Sequence, residues 1–293
     1  MNLHLPHLDF YPRTLRRWTH WLGRTWARLS YGFHVEPTWL ELNRLTIHLS
    51  GLPHCFDGFR IVQLSDLHCG WHLPMEYIRG AVDLANAQHG DLAVVTGDFI
   101  HKGYKHIEPA AAAVAELRAE HGVFAVLGNH DFSVRNALGV RRHRDLHQTI
   151  DYALSGKGVR VLRNEHACLT RDGAALFLGG VDDLWSRACD PLKALADVPA
   201  DAPRVLLAHN PQTIECLEGQ RCDLMLSGHT HGGQIDWPGL GRPFLAKRAR
   251  QFAAGLYQQG GTQLYVNKGV GYGWRFRFRV RPEIAVFTLR AAP

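Results

Sequence analysis

No run of apolar residues in this sequence is long enough to span a bilayer, and residues 1–34 lack the continuous apolar stretch of a secretory signal. Disulfide-scaffold and structural-zinc patterns are missing as well. The six cysteines, Cys55, Cys69, Cys168, Cys189, Cys216 and Cys222, include no C-x-x-C pair. They read as reduced thiols of a cytosolic protein, with Cys69 a packing residue. There is no internal repeat and no low-complexity block, which excludes repeat arrays and biased disordered segments. A long appended DNA-binding region is also absent, so no nucleic-acid partner is expected.

What is present is an ordinary soluble composition. Of 293 residues 46% are apolar and 20% charged, enough for a sizeable core, and the 29 glycines can serve many strand-to-loop turns. The net charge of +6 favours an anionic partner. Short apolar runs predict strands over 42–49, 60–65, 91–96, 123–127, 158–162, 166–170, 174–179, 204–208, 223–226, 252–257, 262–267, 274–280 and 283–289. Helices are predicted over 74–89, 109–120 and 211–217, with a short one after Pro191, and 235–251 reads as a loop. Strands alternating with helices early, then mostly strands, predict an α/β protein with a large mixed sheet system.

The segment 14–30 predicts a strongly amphipathic helix. At ~100° per residue, Leu15, Trp18, Leu22, Trp26 and Leu29 share one arc, while Arg13, Arg17, His20, Arg24 and Arg28 share the far one. Such a helix either lies on an anionic membrane surface or packs its Trp/Leu stripe on the domain. Near the other terminus, Trp274-Arg-Phe-Arg-Phe-Arg-Val-Arg281 alternates aromatic and basic residues. Read as a strand, it sets Arg275, Arg277, Arg279 and Arg281 on one face, either as a contact for nucleotide or lipid phosphates or as a solvated basic edge.

The chemistry is concentrated where apolar runs stop. The run at 60–65 ends in Asp66 and His68; that at 91–96 in Gly97-Asp98; that at 123–127 in Gly128-Asn129-His130-Asp131. The run at 204–208 ends in His209, and that at 223–226 in Gly228-His229-Thr230-His231-Gly232-Gly233. Sites of open α/β sheets form at the carboxyl ends of strands, so these groups are expected to converge. Asp66, His68, Asp98, Asn129, His209, His229 and His231 are too many ligands for one ion with an open position and suit two ions sharing a carboxylate. Mixed imidazole and oxygen ligands favour Mn²⁺, Fe²⁺ or Zn²⁺ over Ca²⁺. Two such ions can activate water and clamp a phosphoryl oxygen, which predicts a hydrolase of phosphate esters or anhydrides.

In order and wording these five blocks resemble the calcineurin-like metallophosphoesterases, and Gly228-His-Thr-His-Gly-Gly-Gln234, Asn267-Lys-Gly-Val-Gly and Arg281-Pro-Glu-Ile-Ala-Val are most similar to its bacterial YaeI/YkuE-type phosphodiesterase subgroup. The resemblance implies two packed mixed sheets flanked by helices in an αββα arrangement, with a dinuclear metal site at strand ends. Residues 35–293 would form that domain, behind a separate basic and aromatic segment at 1–34. It further implies that Asp66, His68 and His231 bind one metal and Asn129, His209 and His229 the second, with Asp98 and a hydroxide bridging them. His130 would donate a proton or hydrogen bond to the leaving oxygen. Asp131 would orient His130 or cap the turn.

The family often writes Gly-Asp-x-x-Asp where this chain has Gly97-Asp98-Phe99-Ile100-His101, which leaves the orientation of His130 without that second aspartate. Asp182 and Asp183 read as a turn or as a contact at the rim of the site. The expected metal is manganese, with iron or zinc as alternatives. The expected substrate is an anionic lipid of the UDP-2,3-diacylglucosamine type, cleaved at its pyrophosphate in lipid A synthesis. The expected place is the cytoplasm, peripheral to the inner membrane. A general phosphodiesterase on nucleotides or cell-envelope phosphates, and a non-catalytic scaffold on the same fold, are the alternatives.

Overall fold

A computed structural model describes residues 13–217 and 219–292, with the side chains of residues 13–16 outside the description. Arg13 and Leu15, assigned to the two faces of the first helix, are therefore not among the described side chains, and the start of the expected 1–34 segment lies outside the described residues.

The chain enters through α1 (Arg13–His34) and β1 (Glu41–Leu49). It then alternates β2 (Arg60–Leu64), α2 (Met75–Asn86), β3 (Leu92–Thr96), α3 (Ile107–Val114), β4 (Val123–Val126), α4 (Leu146–Ser155) and β5 (Arg160–Val161). A hairpin of β6 (Glu165–Arg171) and β7 (Ala174–Gly180) leads through α5 (Pro191–Ala194) to β8 (Arg204–Leu207) and β9 (Leu224–Ser227). The hairpin of β10 (Gly255–Gln259) and β11 (Thr262–Val266) precedes the long last strand β12 (Glu283–Ala291). Two six-stranded sheets result, ordered β1-β12-β2-β3-β4-β5 and β10-β11-β9-β8-β7-β6. In the first, β2 to β5 run parallel and β12 is antiparallel to β2; in the second, β11, β9, β8 and β7 run parallel between antiparallel edges.

Period-two alternation explains why both sheets are buried on both faces. Ile61, Leu92, Val94 and Phe124 of the first sheet meet Leu178, Val205, Leu207, Leu224 and Leu226 of the second in one core between the sheets. Their neighbours Val62, Ala93, Val95 and Ala125 face outward, where Ile78, Val82, Ala111 and Ile150 of α2, α3 and α4 cover them. On the other side, Leu206, Met225 and Leu264 pack beneath Ala194 and Ile214. This is the expected αββα sandwich, and it brings the ends of β2, β3, β4, β8 and β9 to a common edge.

Two local expectations fail. Residues 274–280 are not a strand: Phe278 makes a single bridge to Ile235, and Arg277 turns inward to be fully buried. The helix expected over 109–120 is the shorter α3, which starts ahead of Pro109 and stops at Val114.

Helix α1 meets the domain through its last turn. The Arg277 amide donates to the Gly32 carbonyl at 2.9 Å, Arg275 Nε donates to the Phe33 carbonyl at 3.3 Å, and the Arg275 guanidinium lies 5.8 Å from the Phe33 ring centre. Upstream, the helix is exposed on both faces, the apolar stripe included: Trp18, Leu22 and Trp26 are 63%, 56% and 72% exposed. No helix among the described residues is long and apolar enough to cross a membrane.

Candidate metal centre

Three of the five strand ends that reach the common edge, those of β2, β3 and β9, turn sharply. Asp66, His68, Asp98, His229 and His231 all hold positive φ, between 47° and 73°, a region costly for residues with a Cβ. The turns are held by backbone pairing carried past the strands: Asp66 N–H donates to the Gly97 carbonyl and His68 N–H to the Asp98 carbonyl, both at 2.9 Å. Two glycines make the crowding feasible. A methyl on Gly228 would lie 1.9 Å from Ser65 Oγ and 2.2 Å from Asp66 Oδ2, and one on Gly128 would lie 2.2 Å from Asp98 Oδ1.

The seven predicted ligand groups are brought together. His68 Nε2 lies 2.9 Å from His231 Nε2, and His231 Nε2 lies 3.4 Å from Asp66 Oδ1. A second group forms around Asn129 Oδ1, which is 2.9 Å from His229 Nδ1 and 3.1 Å from His209 Nε2; those two nitrogens are 3.2 Å apart. Between them sits Asp98, with Oδ2 3.4 Å from both His68 Nε2 and His209 Nε2. Bonds of about 2.1 Å to a tetrahedral or octahedral ion set adjacent ligands about 3.0–3.4 Å apart. The spacings and the all-nitrogen-and-oxygen donor set therefore fit two divalent cations, one in each group.

Hydrogen bonds orient three of these groups. His209 Nδ1–H donates to the Thr96 carbonyl at 2.8 Å, which turns Nε2 toward Asn129 and Asp98. Asn129 Nδ2 donates to the Val134 carbonyl at 2.7 Å, which aims Oδ1 at the histidines. Asp66 accepts the His229 N–H on both oxygens, at 3.1 and 3.0 Å, and the Ser65 hydroxyl at 2.5 Å.

The charges are unbalanced in a way a cation would correct. Burial pushes the Asp66 carboxyl up to about 6. Burial also works against charge on Asp98, but His209, His130 and His68 outweigh it and hold that carboxyl well below its ordinary range. At His209 burial opposes charge and is outweighed by Asp98, so its proton is held well above the ordinary value. Burial holds His68 and His231 well below theirs and takes His229 to about 3, so these three are neutral donors at neutral pH. The His209 proton occupies the electrostatic place that a divalent cation would take more effectively.

Around these groups, Asp131 takes the capping role, one of the two expected for it. Its oxygens accept the N–H groups of Asp98 at 2.8 Å, Gly128 at 2.9 Å, Phe99 at 3.0 Å and Ile100 at 3.4 Å, so it caps the turn and seats Asp98. His130 is oriented by a carbonyl: its Nδ1 lies 2.7 Å from the His101 oxygen, so Nε2 is the nitrogen left for a substrate. His101 thus acts through its backbone at the position where the family often has an aspartate.

Arg277, read either as a phosphate contact or as part of a solvated basic edge, is instead fully buried. It donates to the carbonyls of Lys268 at 2.8 Å, Gly269 at 3.2 Å, Gly271 at 2.7 Å and Val280 at 3.2 Å. It braces the 268–271 loop against Asp66 and His231 and is not open to a ligand. Arg275 is taken up by the end of α1. Asp183 closes a turn with Ser186, as expected, and Asp182 pairs with Arg163.

Comparison with known proteins agrees with this geometry. A family model described as calcineurin-like phosphoesterase matches residues 59–233. The chain is 33% identical to the uncharacterized metallophosphoesterase YkuE of Bacillus subtilis, over 92% of this chain and 93% of YkuE. It is 33% identical to phosphodiesterase YaeI of Escherichia coli, over 90% of this chain and 94% of YaeI. It is 29% identical to the UDP-2,3-diacylglucosamine pyrophosphatase LpxG of Chlamydia trachomatis, over 89% of this chain and 92% of LpxG.

Because Asp131 alone pairs a set of buried amides, Asp131→Ala is expected to lower unfolding free energy by about 2–4 kcal/mol, the scale of leaving several buried donors unpaired. Urea denaturation in EDTA reads this directly; a loss below about 0.5 kcal/mol would show that the turn does not depend on it.

Proposed function

This chain belongs to the calcineurin-like phosphoesterase family of metal-dependent hydrolases, and we propose that it cleaves phosphodiester or pyrophosphate bonds with Asp98 shared between two cations. The observation that carries this reading is the Asp98 carboxylate lying 3.4 Å from a nitrogen of each ligand group. Asp66, His68 and His231 would hold one cation, and Asn129, His209 and His229 the other. Manganese is the proposed occupant, with iron and zinc as alternatives. When bound, the two ions supply a nucleophile from water near neutral pH and polarise the phosphoryl oxygens. Asp98 keeps the two ligand groups in register. His130, held at Nδ1 by the His101 carbonyl, offers Nε2 to the leaving oxygen as a proton or hydrogen-bond donor. The full ligand set and His130 both argue against a non-catalytic scaffold.

For the substrate, the specific reading is pyrophosphate cleavage in UDP-2,3-diacylglucosamine at the cytoplasmic membrane surface. LpxG is named for that activity, and the outward apolar stripe of α1 supports a lipid substrate. Leu29 of α1 also lines an apolar cavity of about 470 Å³ with Ile235, Trp237, Phe244, Trp274 and Phe276. A general phosphodiesterase is the second reading, favoured by the name of YaeI.

The test is UMP release from UDP-2,3-diacylglucosamine in mixed micelles, run beside hydrolysis of an aryl phosphodiester with Mn²⁺ or EDTA. Mn²⁺-dependent cleavage of both is expected, with a loss of about 10³-fold or more in Asp98→Ala. Cleavage of the diester alone would select the general phosphodiesterase, and turnover unaffected by EDTA or by Asp98→Ala would contradict the reading.

Membrane attachment has its own test. Replacing Trp18 and Trp26 by Ala removes apolar surface that would enter the headgroup region while leaving Arg17, Arg24 and Arg28 in place. Sedimentation with anionic vesicles is expected to fall about tenfold or more; equal sedimentation of variant and parent would remove α1 as the anchor.

A further inference from the structure

Beyond His130 the site opens into a second cavity, of about 370 Å³, whose lining includes His101, Lys102, His130, Arg135, Arg142 and His143. No carboxylate lines it. Among the described residues, Lys102, Arg135 and Arg142 have no acidic partner. Their neighbours contrast with them. Arg141 is spent on the Ser186 carbonyl at 3.0 Å and on the Phe132 ring at 5.1 Å, and Arg163 is paired with Asp182 and Asp151.

The three cations are exposed to solvent, and the backbone of the loop that carries two of them is held in place. Val134 and Arg141 form an antiparallel bridge, Arg142 N–H donates to the Ser133 carbonyl at 3.3 Å, and His143 N–H donates to Ser133 Oγ at 3.3 Å. This closes the 133–142 loop at its base and sets Arg135 and Arg142 on its two legs. Lys102 comes from the separate turn after β3, next to the residue whose carbonyl holds His130.

Three cations without counter-charge, in a cavity that shares a wall with His130, form a receptor for a multiply charged anion. A simple phosphodiester brings one negative charge, which the metal centre takes. We propose that this cavity binds a second phosphate group, the one joined to the scissile phosphorus through the bridging oxygen, and thereby selects diphosphate substrates over simple diesters. The inference rests on the hydrolytic reading above. Water adds to one phosphorus, and the bond from that phosphorus to the bridging oxygen breaks. The departing phosphate keeps that oxygen and the electron pair, with Nε2 of His130 beside it. One proton of the water stays on the new phosphate and the other passes to the departing group or to solvent. The charge that develops on the departing phosphate lies against Lys102, Arg135 and Arg142, so these cations act on kcat as well as on binding.

The experiment uses the Mn²⁺-loaded full chain, its Arg135→Ala/Arg142→Ala variant and the charge-conserving Arg135→Lys/Arg142→Lys variant. The substrates are an aryl phosphodiester, a uridine diphosphate diester and a base-free diphosphate diester, the last two separating a nucleotide from another source of diphosphate. The ratio of kcat/KM for diphosphate over diester is expected to fall about tenfold or more in the alanine variant, through kcat as well as KM, and to be largely restored with lysine. Calorimetry with methylenediphosphonate and methylphosphonate reads the same preference without turnover, so a chain that cleaves none of the three substrates still tests this cavity. An unchanged ratio, or an unchanged preference for the diphosphonate, overturns the proposal.

Discussion

The Asp98 carboxylate, shared between His68 and His209, is the constraint to which the rest of this edge conforms. Two aspartates and two histidines are buried, with two more histidines half-buried, within a few ångströms of one another, and burying charge without compensation is costly. The fold accepts that cost locally through positive-φ turns at Asp66, His68, Asp98, His229 and His231, and through glycines at 128 and 228 where no methyl fits. The stability that offsets it comes from elsewhere, in the apolar layer between the sheets and the helix-covered face of the first. A rigid sandwich is what lets five strand ends meet at one edge with ligand atoms 2.9–3.4 Å apart.

Surrounding groups divide the work by charge. Asp131 gathers amides and seats the loop of Asp98. Arg277 gathers carbonyls and braces the loop behind Asp66 and His231. Both are buried, so they set geometry and leave substrate contact to others. One cavity is apolar, around Leu29, Trp274 and Phe276; another, beside His130, is cationic, around Lys102, Arg135 and Arg142. A substrate with a lipid portion and a diphosphate portion would meet complementary surfaces at both ends.

Much of this could be read from residues alone, for a definite reason. Apolar runs that stop at Asp, Asn or His carry their own direction, because buried parallel strands are uniformly apolar and sites lie at their carboxyl ends. The convergence of the seven groups and the sandwich were therefore legible. Residues 274–280 were not: Trp-Arg-Phe-Arg-Phe-Arg has the period of a strand, but the carbonyls that solvate Arg277 come from the 268–271 loop and from Val280, which no pattern reveals. Asp131 and His101 were ambiguous because a carboxylate that caps and one that orients a histidine look alike in sequence. The two faces of α1 were readable, whereas its outward orientation depends on where Gly32 meets Phe276 and Arg277.

The central claim is that one carboxylate links two metal positions. The most direct measurement is electron paramagnetic resonance of the protein titrated with Mn²⁺. The account predicts that two equivalents bind and that the second produces the multiline spectrum of an exchange-coupled pair, which Asp98→Ala abolishes. A single equivalent with only an uncoupled six-line spectrum at saturation would contradict it.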